Sequence, residues 1–338
     1  MRNKDPFLSM IERAKPLNNK TIVFPEGEDA RVASAIKMLI DNNACKVVVL
    51  GDAQKIAEVF DSEVLGKVTV VDTSDQTAKS EFYAEQLYEL RKAKGLTIEQ
   101  ARELVKVPIY YGAMMVKLGD ADGMVAGAVL HSADVMRPAF QIIKQRKDIV
   151  KASSCFIMEV PEDKNFGENG FMVFADCAVN QYPNAEELAS IALASRDSAN
   201  YLCGMEPKIA VLSYSSASTN SDDEVIIKEK EAIRLFKEKD SKTLIEGEMQ
   251  ADCAILPDTA KRKFPNGKLN GRANVLIFPD INAGNIGYKL VQHFTGGRAV
   301  GPIIQGLNKP VNDLSRSATA EEIYLTAIIT LLQTQQNQ

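Results

Sequence analysis

The sequence predicts an α/β protein built from two doubly wound domains, and three observations lead to this prediction. Short valine-rich strands alternate with helical stretches in the first third of the chain, which is typical of a parallel sheet with crossover helices. The same alternation starts again after Ala152. A length of 338 residues is also sufficient for two domains of ordinary size.

The first group of elements is predicted from apolar periodicity. Strands are predicted at residues 21–25, 46–50, 68–71 and 122–126. Helices are predicted at residues 30–42, 80–94, 98–105 and 109–117, with a further helix starting near residue 133. Each strand is followed by a helical stretch, as the crossover connections of a parallel sheet require.

The second group of elements begins with strands at residues 154–160 and 170–175, which we expect to pair as an antiparallel hairpin. A helix at 184–202, a strand at 208–214 and a helix at 224–239 follow, and then apolar segments at 244–247, 251–256 and 273–279. We expect the chain to return to the first domain after Gly296. Domain I is therefore predicted to comprise residues 1–145 and 297–338, and domain II residues 146–296.

Composition excludes several classes of protein. Hydrophobic residues make up 45% and charged residues 25%, the composition of a globular protein, and no apolar run approaches the ~20 residues of a membrane helix. The N-terminus has no apolar signal core, so a cytoplasmic location is expected. A net charge of −5 without a basic block argues against nucleic acid as a partner. The cysteines are scattered without a metal-binding spacing, so we expect reduced thiols and no metal.

The stretch from Gly296 to Glu322 is predicted to carry an anion site, for phosphate above all. It places Asn312, Asp313, Ser315 and Arg316 on a loop just before a C-terminal helix. Functional residues are concentrated on loops held by rigid elements, and a helix N-terminus presents free N–H groups to an anion.

Several long motifs resemble those of the phosphate acetyltransferases, also called phosphotransacetylases. In chain order they are FPEGED at 24–29, LRKAKG at 90–95, DGMVAGAVLHSADVMRPAFQII at 122–143, GEMQAD at 247–252, FPDINAGNIG at 278–287 and GPIIQGLNKPVNDLSR at 301–316. The resemblance covers nearly the whole chain. It implies a reaction of acetate metabolism, in which acetyl-CoA and phosphate are interconverted with acetyl phosphate and CoA. It also implies a homodimer, with the active site in a cleft between two domains like those of the isocitrate and isopropylmalate dehydrogenases. CoA would be a substrate, and no tightly bound cofactor is expected.

Three arginines match family positions that bind the anionic substrates: Arg91, Arg137 and Arg316. Arginine suits this role because its guanidinium forms paired, charge-assisted hydrogen bonds with phosphate. Alternative interpretations remain open for two of them. Arg91 can be a solvated residue of a helix face, and Arg137 can be paired with a carboxylate such as Asp134.

Glu322 occupies the position of the family's general base, an aspartate six residues after the arginine of DLSR. A base there would raise the thiolate fraction of CoA, since a free thiol has a pKa near ~8.5. The alternative is structural: Thr319 and Glu322 have the spacing of a capping box. Glu321 is the nearest substitute as base. Ser315 can donate a hydrogen bond to the acyl carbonyl or to the developing negative charge, or can be a turn residue.

The remaining predicted contacts lie on two further loops. Residues 127–132 follow a strand and include small residues that let an anion approach the backbone, and we assign His131 and Ser132 to substrate binding. Residues 282–285 and Tyr288 form a second glycine-bearing loop that can face the same cleft. The loop at 215–224 (SSASTNSDDE) lacks the lysine and glycine of the family, so it does not indicate how distal CoA is held.

Three other functions compete with acetyl transfer. A relative can prefer butyryl or propionyl groups. A non-catalytic CoA-binding relative is compatible with the change from aspartate to Glu322. The metal- and nicotinamide-dependent hydroxy-acid dehydrogenases share the architecture, but they require a carboxylate cluster that the predicted cleft lacks.

Overall fold

The computed structural model describes residues 5–161, 166–217 and 222–335, and the chain divides into two compact units. The terminal unit comprises Ser9–Lys144 and Leu307–Gln338, and the central unit comprises Met1–Leu8 and Gln145–Gly306. Each unit contains one sheet covered by helices, so the predicted α/β fold with two doubly wound domains is confirmed.

The strands, in chain order, are β1 (Thr21–Phe24), β2 (Lys46–Leu50), β3 (Thr69–Val71), β4 (Gly123–Ala126), β5 (Ser153–Glu159), β6 (Phe171–Ala175), β7 (Lys208–Leu212), β8 (Leu244–Met249), β9 (Val275–Ile277), β10 (Ala299–Gln305) and β11 (Val311–Asp313). The helices are α1 (Phe7–Ala14), α2 (Ala30–Asp41), α3 (Ala53–Val59), α4 (Ser62–Leu65), α5 (Ala78–Arg91), α6 (Ile98–Val105), α7 (Pro108–Leu118), α8 (Ser132–Pro138), α9 (Ala185–Tyr201), α10 (Glu224–Lys239), α11 (Ala251–Ile255), α12 (Pro257–Lys263), α13 (Ile281–Thr295) and α14 (Ala320–Gln333). Short 3₁₀ turns lie at Lys15–Leu17 and Lys92–Lys94, and a π-helical turn lies at Ala139–Ile143.

The sheet of the terminal unit has the order β11-β4-β1-β2-β3, and all its strands are parallel. The chain proceeds outward from β1 to β3 and then returns to β4 on the other side of β1. Valine-rich strands buried on both faces suit this arrangement, because helices cover a parallel sheet on both sides. Helix α14, which is almost entirely buried from Ile323 to Gln333, covers part of this sheet.

The sheet of the central unit has the order β10-β5-β6-β9-β7-β8. Strands β5 and β6 pair in antiparallel fashion, with Cys155 opposite Ala175, which confirms the predicted hairpin. Strand β10 adds to the free edge of β5, also antiparallel. Strands β6, β9, β7 and β8 are parallel to one another.

The two units divide at different residues from those predicted from the sequence. Residues 297–306 were assigned to domain I, whereas β10 pairs with β5 and belongs to the central unit. The N-terminal residues also lie with the central unit: the Phe7 ring packs edge-on against Phe171 with centroids 4.9 Å apart, and Asp5 pairs with Arg298. Strand pairing across such a distance in sequence cannot be read from local periodicity.

Two other segments differ from their sequence-based interpretation. Residues 251–256, listed among the apolar segments, form the short helix α11. The glycine-bearing loop predicted at 282–285 is the first turn of α13, capped by the carboxylate of Asp280 at the amides of Asn282 and Ala283. Among residues 5–161, 166–217 and 222–335, no helix has both the length and the apolar character needed to cross a membrane.

Candidate active site

Three neighbouring strands of the terminal unit end at the same edge of the sheet. In the register of β4 and β11, Ala126 pairs with Asp313, and β1 lies on the other side of β4. We call residues 127–132, after β4, the Gly127 loop, and residues 314–319, after β11, the Arg316 loop. Both loops therefore begin side by side, because the carboxyl ends of adjacent parallel strands meet at one edge.

The direction in which the chain adds strands to the sheet reverses between β1 and β4. From β1 the chain adds strands on one side, and β4 and β11 lie on the other. In open α/β sheets, ligands bind outside the carboxyl ends of the strands at such a switch point. The Gly127 loop lies at this point, so the topology places its residues, His131 and Ser132 among them, where a ligand is expected.

The amides of the Gly127 loop are bound by a carboxylate of the protein itself. One oxygen of Glu26 accepts hydrogen bonds from the amides of Gly127 and Ala128 at 2.7 and 2.8 Å. The other accepts from Val129 and Leu130 at 2.9 and 2.8 Å. The sequence-based expectation that an external anion approaches this backbone is thus corrected: these four N–H groups have an internal partner.

Arg31 joins the two loops. Its guanidinium donates to the carbonyl oxygen of Ala128 at 2.7 Å, and to those of Arg316 and Ala318 at 2.8 and 3.1 Å. The carboxylate of Asp29 holds the guanidinium in place through two charge-assisted hydrogen bonds, of 3.1 Å to Nε and 2.8 Å to Nη2. The backbone of the Arg316 loop is therefore tied to that of the Gly127 loop through one side chain.

Asp313 lies beneath these loops and is almost fully buried. Within the part of the chain that the structure describes, its Oδ1 atom has no hydrogen-bond partner. Burial raises the pKa of its carboxyl group to about 7, and the nearby Glu26 carboxylate acts in the same direction, whereas hydrogen bonds from Ser132 and from the Leu314 amide lower it. Ser132, the last residue of the Gly127 loop, therefore lies beside Asp313, the last residue of β11 before the Arg316 loop.

The Arg316 loop presents Ser315 and Arg316 at the surface of the terminal unit. The side chain of Arg316 is exposed, and within the described residues its guanidinium makes no hydrogen bond or ion pair. The hydroxyl of Ser315 lies 2.8 Å from that of Ser317, and either of the two can be the donor. A cation without an internal partner beside a hydroxyl donor is able to bind an anionic ligand.

Glu322 closes the capping box that its spacing predicts. Its Oε2 atom accepts from the amide of Thr319 at 2.8 Å, and its own amide donates to the Thr319 hydroxyl at 3.2 Å. The Thr319 hydroxyl also contacts Oε2, at 3.2 Å. In the described part of the chain, no hydrogen bond involves Oε1 of Glu322, so the cap uses one oxygen of the two.

The other predicted residues of the terminal unit differ in their exposure and in their contacts. His131 is exposed at the start of α8, and its side chain does not cap the helix. Arg137, in the last turn of α8, lies 3.6 Å from Asp134 with more than half of its side chain exposed, so the pairing considered from the sequence is present but loose. Arg91 is half-buried at the end of α5, and none of the described contacts joins it to the two loops.

Two predicted substrate contacts are buried in the packing of their own units. Asn312 is fully buried, and its side-chain amide donates to Thr330 and Gln333 of α14 at 2.8 and 2.7 Å. Tyr288 belongs to the central unit, where its ring stacks on Phe156 with centroids 3.8 Å apart. Burial argues against substrate contact for both side chains.

The remaining sequence-based interpretations concern the loop at 215–224 and the cysteines. Residues 218–221 of this loop lie outside the described residues, so its relation to CoA stays open. All five cysteines are buried, and none of them forms a disulfide in the described part of the chain. In the ranges that the structure describes, no three His, Cys, Asp or Glu side chains are grouped so that they could hold a metal ion.

The sequence predicts Asp313 only as part of the polar segment before the C-terminal helix, and it does not single out Glu26 or Arg31 for this site. A signal was present for Glu26, which immediately follows the Pro25 end of a predicted strand. What could not be read was which strands are neighbours. Without the order β11-β4-β1, nothing in the sequence connects residue 26 with residues 127–130.

Comparison with known proteins places the chain among acyltransferases. The family model described as phosphate acetyl/butaryl transferase matches residues 7–331. The phosphate acetyltransferase of Thermoanaerobacterium thermosaccharolyticum is 46% identical over 327 residues, which cover 97% of this chain and 98% of that protein. That of Acetivibrio thermocellus is 47% identical over 328 residues, or 96% and 97% of the two chains. A crystal structure of a phosphotransacetylase from Streptococcus pyogenes is similar with a TM-score of 0.90 and 38% identity, covering 99% of this chain and 100% of the other.

Proposed function

Because the chain belongs to the phosphate acetyl/butaryl transferase family, we propose that the Gly127 and Arg316 loops form its acyl-transfer site. The protein is an acyltransferase that interconverts acetyl-CoA and phosphate with acetyl phosphate and CoA. The observation that carries the assignment of the site is Arg316: an exposed guanidinium with no internal partner in the described chain, whose backbone is tied to the Gly127 loop through Arg31.

The reaction needs cations for its phosphate and a base for its thiol. Acetyl phosphate is a small dianion, and its phosphate gains charge as the acetyl–oxygen bond breaks. Arg316 supplies a positive charge to that leaving group, and Arg137 and Arg91 supply further positive charge to the phosphate groups of the two substrates. His131 and Ser132, on the neighbouring loop, contact the bound substrate. Such preorganised charge commonly makes the largest contribution to catalysis.

Transfer proceeds by direct attack in a ternary complex. The CoA thiol gives its proton to a base, and the sulfur forms a bond with the acetyl carbon. The bond from that carbon to the phosphate oxygen breaks, and phosphate leaves with the electron pair. Ser315 donates a hydrogen bond to the acetyl oxygen while negative charge develops there; with Ser317 as donor to Ser315, the proton of Ser315 is available for this role.

Glu322 is the base in this proposal, and the geometry of its cap supports a double role. The capping box occupies Oε2 alone, so Oε1 remains to accept the thiol proton. Cap and base are therefore served by different atoms of the same carboxylate. The cap also fixes the side chain in one rotamer, so the base is held in position before substrate binds.

Replacing Glu322 by glutamine is expected to lower kcat by about 10²- to 10⁴-fold, the range of general acid–base catalysis, with little change in stability. Glutamine can still accept from Thr319 with its carbonyl oxygen, but its NH₂ group cannot take a proton. Steady-state kinetics and thermal unfolding of the same preparation check both parts.

The matched control for this variant is Glu321→Gln, one residue earlier on the same helix. We expect it to retain wild-type turnover. A large rate loss in Glu321→Gln together with normal turnover in Glu322→Gln would transfer the role of base to Glu321. Small and equal losses of turnover in the two variants would show that Glu322 acts only as a helix cap.

We also propose that the protein is a homodimer, and the surface of α13 supports this. Ile286, Leu290 and Phe294 are four residues apart, so they share a helix face, and Phe294 is 84% exposed. A row of exposed large apolar side chains is typical of a surface that another protein covers. The partner proposed here is a second copy of the chain, as the family resemblance implies.

Sedimentation velocity at micromolar concentration is expected to show a dimer for the wild type and a shift to monomer for Leu290→Asp/Phe294→Asp. The control is Tyr182→Asp, which changes an exposed aromatic residue outside α13. A wild-type monomer, or a variant that dimerises as well as the wild type, would refute an interface on α13.

Two further properties complete the proposal. The reaction requires no tightly bound cofactor, since thiolate attack on acetyl phosphate transfers the acetyl group without one. A cytoplasmic location suits the five buried cysteines, none of which is in a disulfide.

The experiment that tests the function is thioester formation from acetyl phosphate and CoA, followed by ultraviolet absorbance. Butyryl phosphate is assayed in parallel. Faster turnover with acetyl phosphate supports the assigned reaction, whereas a preference for butyryl phosphate keeps the mechanism and changes the acyl group. Binding of both substrates without turnover would indicate a non-catalytic CoA-binding protein.

A further inference from the structure

The contact between Glu26 and the Gly127 loop joins segments that are about a hundred residues apart in sequence. Four consecutive amides, from Gly127 to Leu130, point at one carboxylate, with N···O distances of 2.7 to 2.9 Å. Each oxygen of Glu26 accepts from two of these amides. Successive N–H groups that converge in this way form an anion-binding concavity, called a nest.

The chemistry of the nest requires an anion with two acceptor oxygens. An ionised carboxylate offers about four lone-pair positions and no donor, which matches four N–H groups. The amide of glutamine offers one acceptor oxygen, and its NH₂ group would face two of the backbone donors. Only a carboxylate, or an anion of similar shape, therefore satisfies all four amides.

The nest lies directly before the residues that we assign to substrate binding. His131 and Ser132 follow Leu130 without an intervening residue, and α8 begins at Ser132. The carbonyl oxygen of Ala128, inside the nest, accepts from Arg31, which also binds the carbonyl oxygen of Arg316. A displacement of the Gly127 loop would thus affect both loops of the site.

We propose that Glu26 is a positioning residue whose carboxylate serves as the resident anion of the Gly127–Leu130 nest and holds His131, Ser132 and, through Arg31, Arg316 in place for acyl transfer. This inference rests on the proposed site of the reaction. Glu26 acts through the backbone of the loop rather than by touching the reacting atoms. Its role therefore depends on its negative charge and its two oxygens, more than on its volume.

The test uses Glu26→Ala and Glu26→Gln, with Glu28→Ala as the matched control. Glu28 is in the same turn and is exposed, and it contacts Lys55 and the Asp52 amide rather than the nest. We expect kcat/KM to fall by about a hundredfold in both Glu26 variants, as for a misplacement of reactive groups by about 1 Å. Glu28→Ala should behave like the wild type.

The response of Glu26→Ala to added formate is a readout that would not change if Glu26 had only a structural role. Formate is a small carboxylate, and Glu26→Ala leaves room for it in the nest. Added formate is expected to restore part of the kcat/KM of Glu26→Ala and to raise its Tm, because a ligand that binds the folded state stabilises it. It should restore neither in Glu26→Gln, whose amide still occupies the nest, nor in Glu28→Ala. Chloride at equal ionic strength controls for salt.

The possible outcomes separate this inference from the proposed function. Wild-type kcat/KM in folded Glu26→Ala would overturn the positioning role, and so would a loss of activity that formate does not reverse while Tm stays insensitive to formate. If the wild type itself transfers no acetyl group, the function fails, and the formate-dependent Tm of Glu26→Ala still decides whether the nest binds a carboxylate. If Glu26→Ala does not fold without formate, folding in its presence but not with chloride supports the nest.

Discussion

Replacing Arg316 by alanine is expected to lower kcat for acetyl transfer by roughly 10²- to 10³-fold, the range seen when a group that stabilises developing charge is removed. In the proposed site the guanidinium binds the phosphate that leaves, and alanine offers neither charge nor donors. The loss should appear in kcat and in kcat/KM, because the leaving phosphate gains charge as the transition state is approached.

The fold of the Arg316→Ala variant should be intact. The side chain is exposed and makes no hydrogen bond or ion pair within the described residues, and its backbone contact with Arg31 does not depend on the side chain. We therefore expect a change in the free energy of unfolding within about 0.5 kcal/mol, as for surface substitutions in general. Kinetics by ultraviolet absorbance and unfolding by circular dichroism measure the two quantities.

Two control variants sharpen the test of Arg316. Arg316→Lys keeps the charge but cannot form paired hydrogen bonds, so it should recover only part of the lost activity. Arg234→Ala removes an exposed arginine whose partners, Glu231 and Glu238, lie on its own helix, and it should retain full activity. Near-normal turnover in Arg316→Ala would disprove the phosphate-binding assignment.

Replacing Gly127 by alanine is expected to destabilise the terminal unit by several kcal/mol, on the order of 3 or more, since backbone strain and overpacking both arise at this position. Gly127 has a φ of +109°, a backbone conformation that residues with a Cβ rarely adopt. A Cβ there would lie 2.2 Å from Oδ1 of Asp313 and 2.7 Å from the amide nitrogen of Leu314. The Asp313 side chain is short and buried, and the Leu314 nitrogen is backbone at the start of the Arg316 loop, so neither atom can move aside without disturbing that loop.

Activity should fall together with stability in Gly127→Ala. Gly127 is the first of the four residues whose amides bind Glu26. The Gly127 loop therefore cannot move away from β11 without losing its hydrogen bonds to Glu26. Urea unfolding measures the loss of stability, and kinetics below the onset of unfolding measure the loss of activity. A variant with wild-type stability would show that the close approach of Gly127 and Asp313 is not as described.

Gly66→Ala is the matched control in the same unit. Gly66 has a φ of −68°, and the nearest atom to an added Cβ is the carbonyl oxygen of Ser62 at 3.6 Å, an ordinary contact. We expect no loss of stability, or a small gain, because alanine reduces the freedom of the unfolded chain. A loss in Gly66→Ala as large as that in Gly127→Ala would remove the support for strain at Gly127.

Much of the secondary structure could be predicted because its signals are local. Helix α9 begins with Asn184 and Glu187, which form the capping box that starts a helix at this point. The hairpin of β5 and β6 follows from two apolar segments joined by a polar connection. The capping box of Thr319 and Glu322 was likewise apparent from residues three apart.

The burial of individual polar residues could not be predicted from local patterns. Asn312 stands in the same polar segment as Ser315 and Arg316, yet it is the only one of the three that is fully buried. Its amide is bound by residues of α14, whose polar side chains Thr330 and Gln333 face the sheet. Tyr288 follows a glycine-bearing segment that resembles a loop, but it packs in a core with Phe156. Each outcome depends on what a distant element presents to that side chain.

By itself the sequence determined the positions of most helices and strands, the α/β class and, through motifs of six residues or more, the family and its reaction. These properties depend on residues that are close in the chain, or on similarity along it. Tertiary structure alone decided that β10 completes the central sheet, that β11, β4 and β1 are neighbours, and that the carboxylate of Glu26 fills the nest of the Gly127 loop. The physical reason is that these contacts join segments about a hundred or more residues apart. Such contacts form only when two whole sheets and their helices have packed.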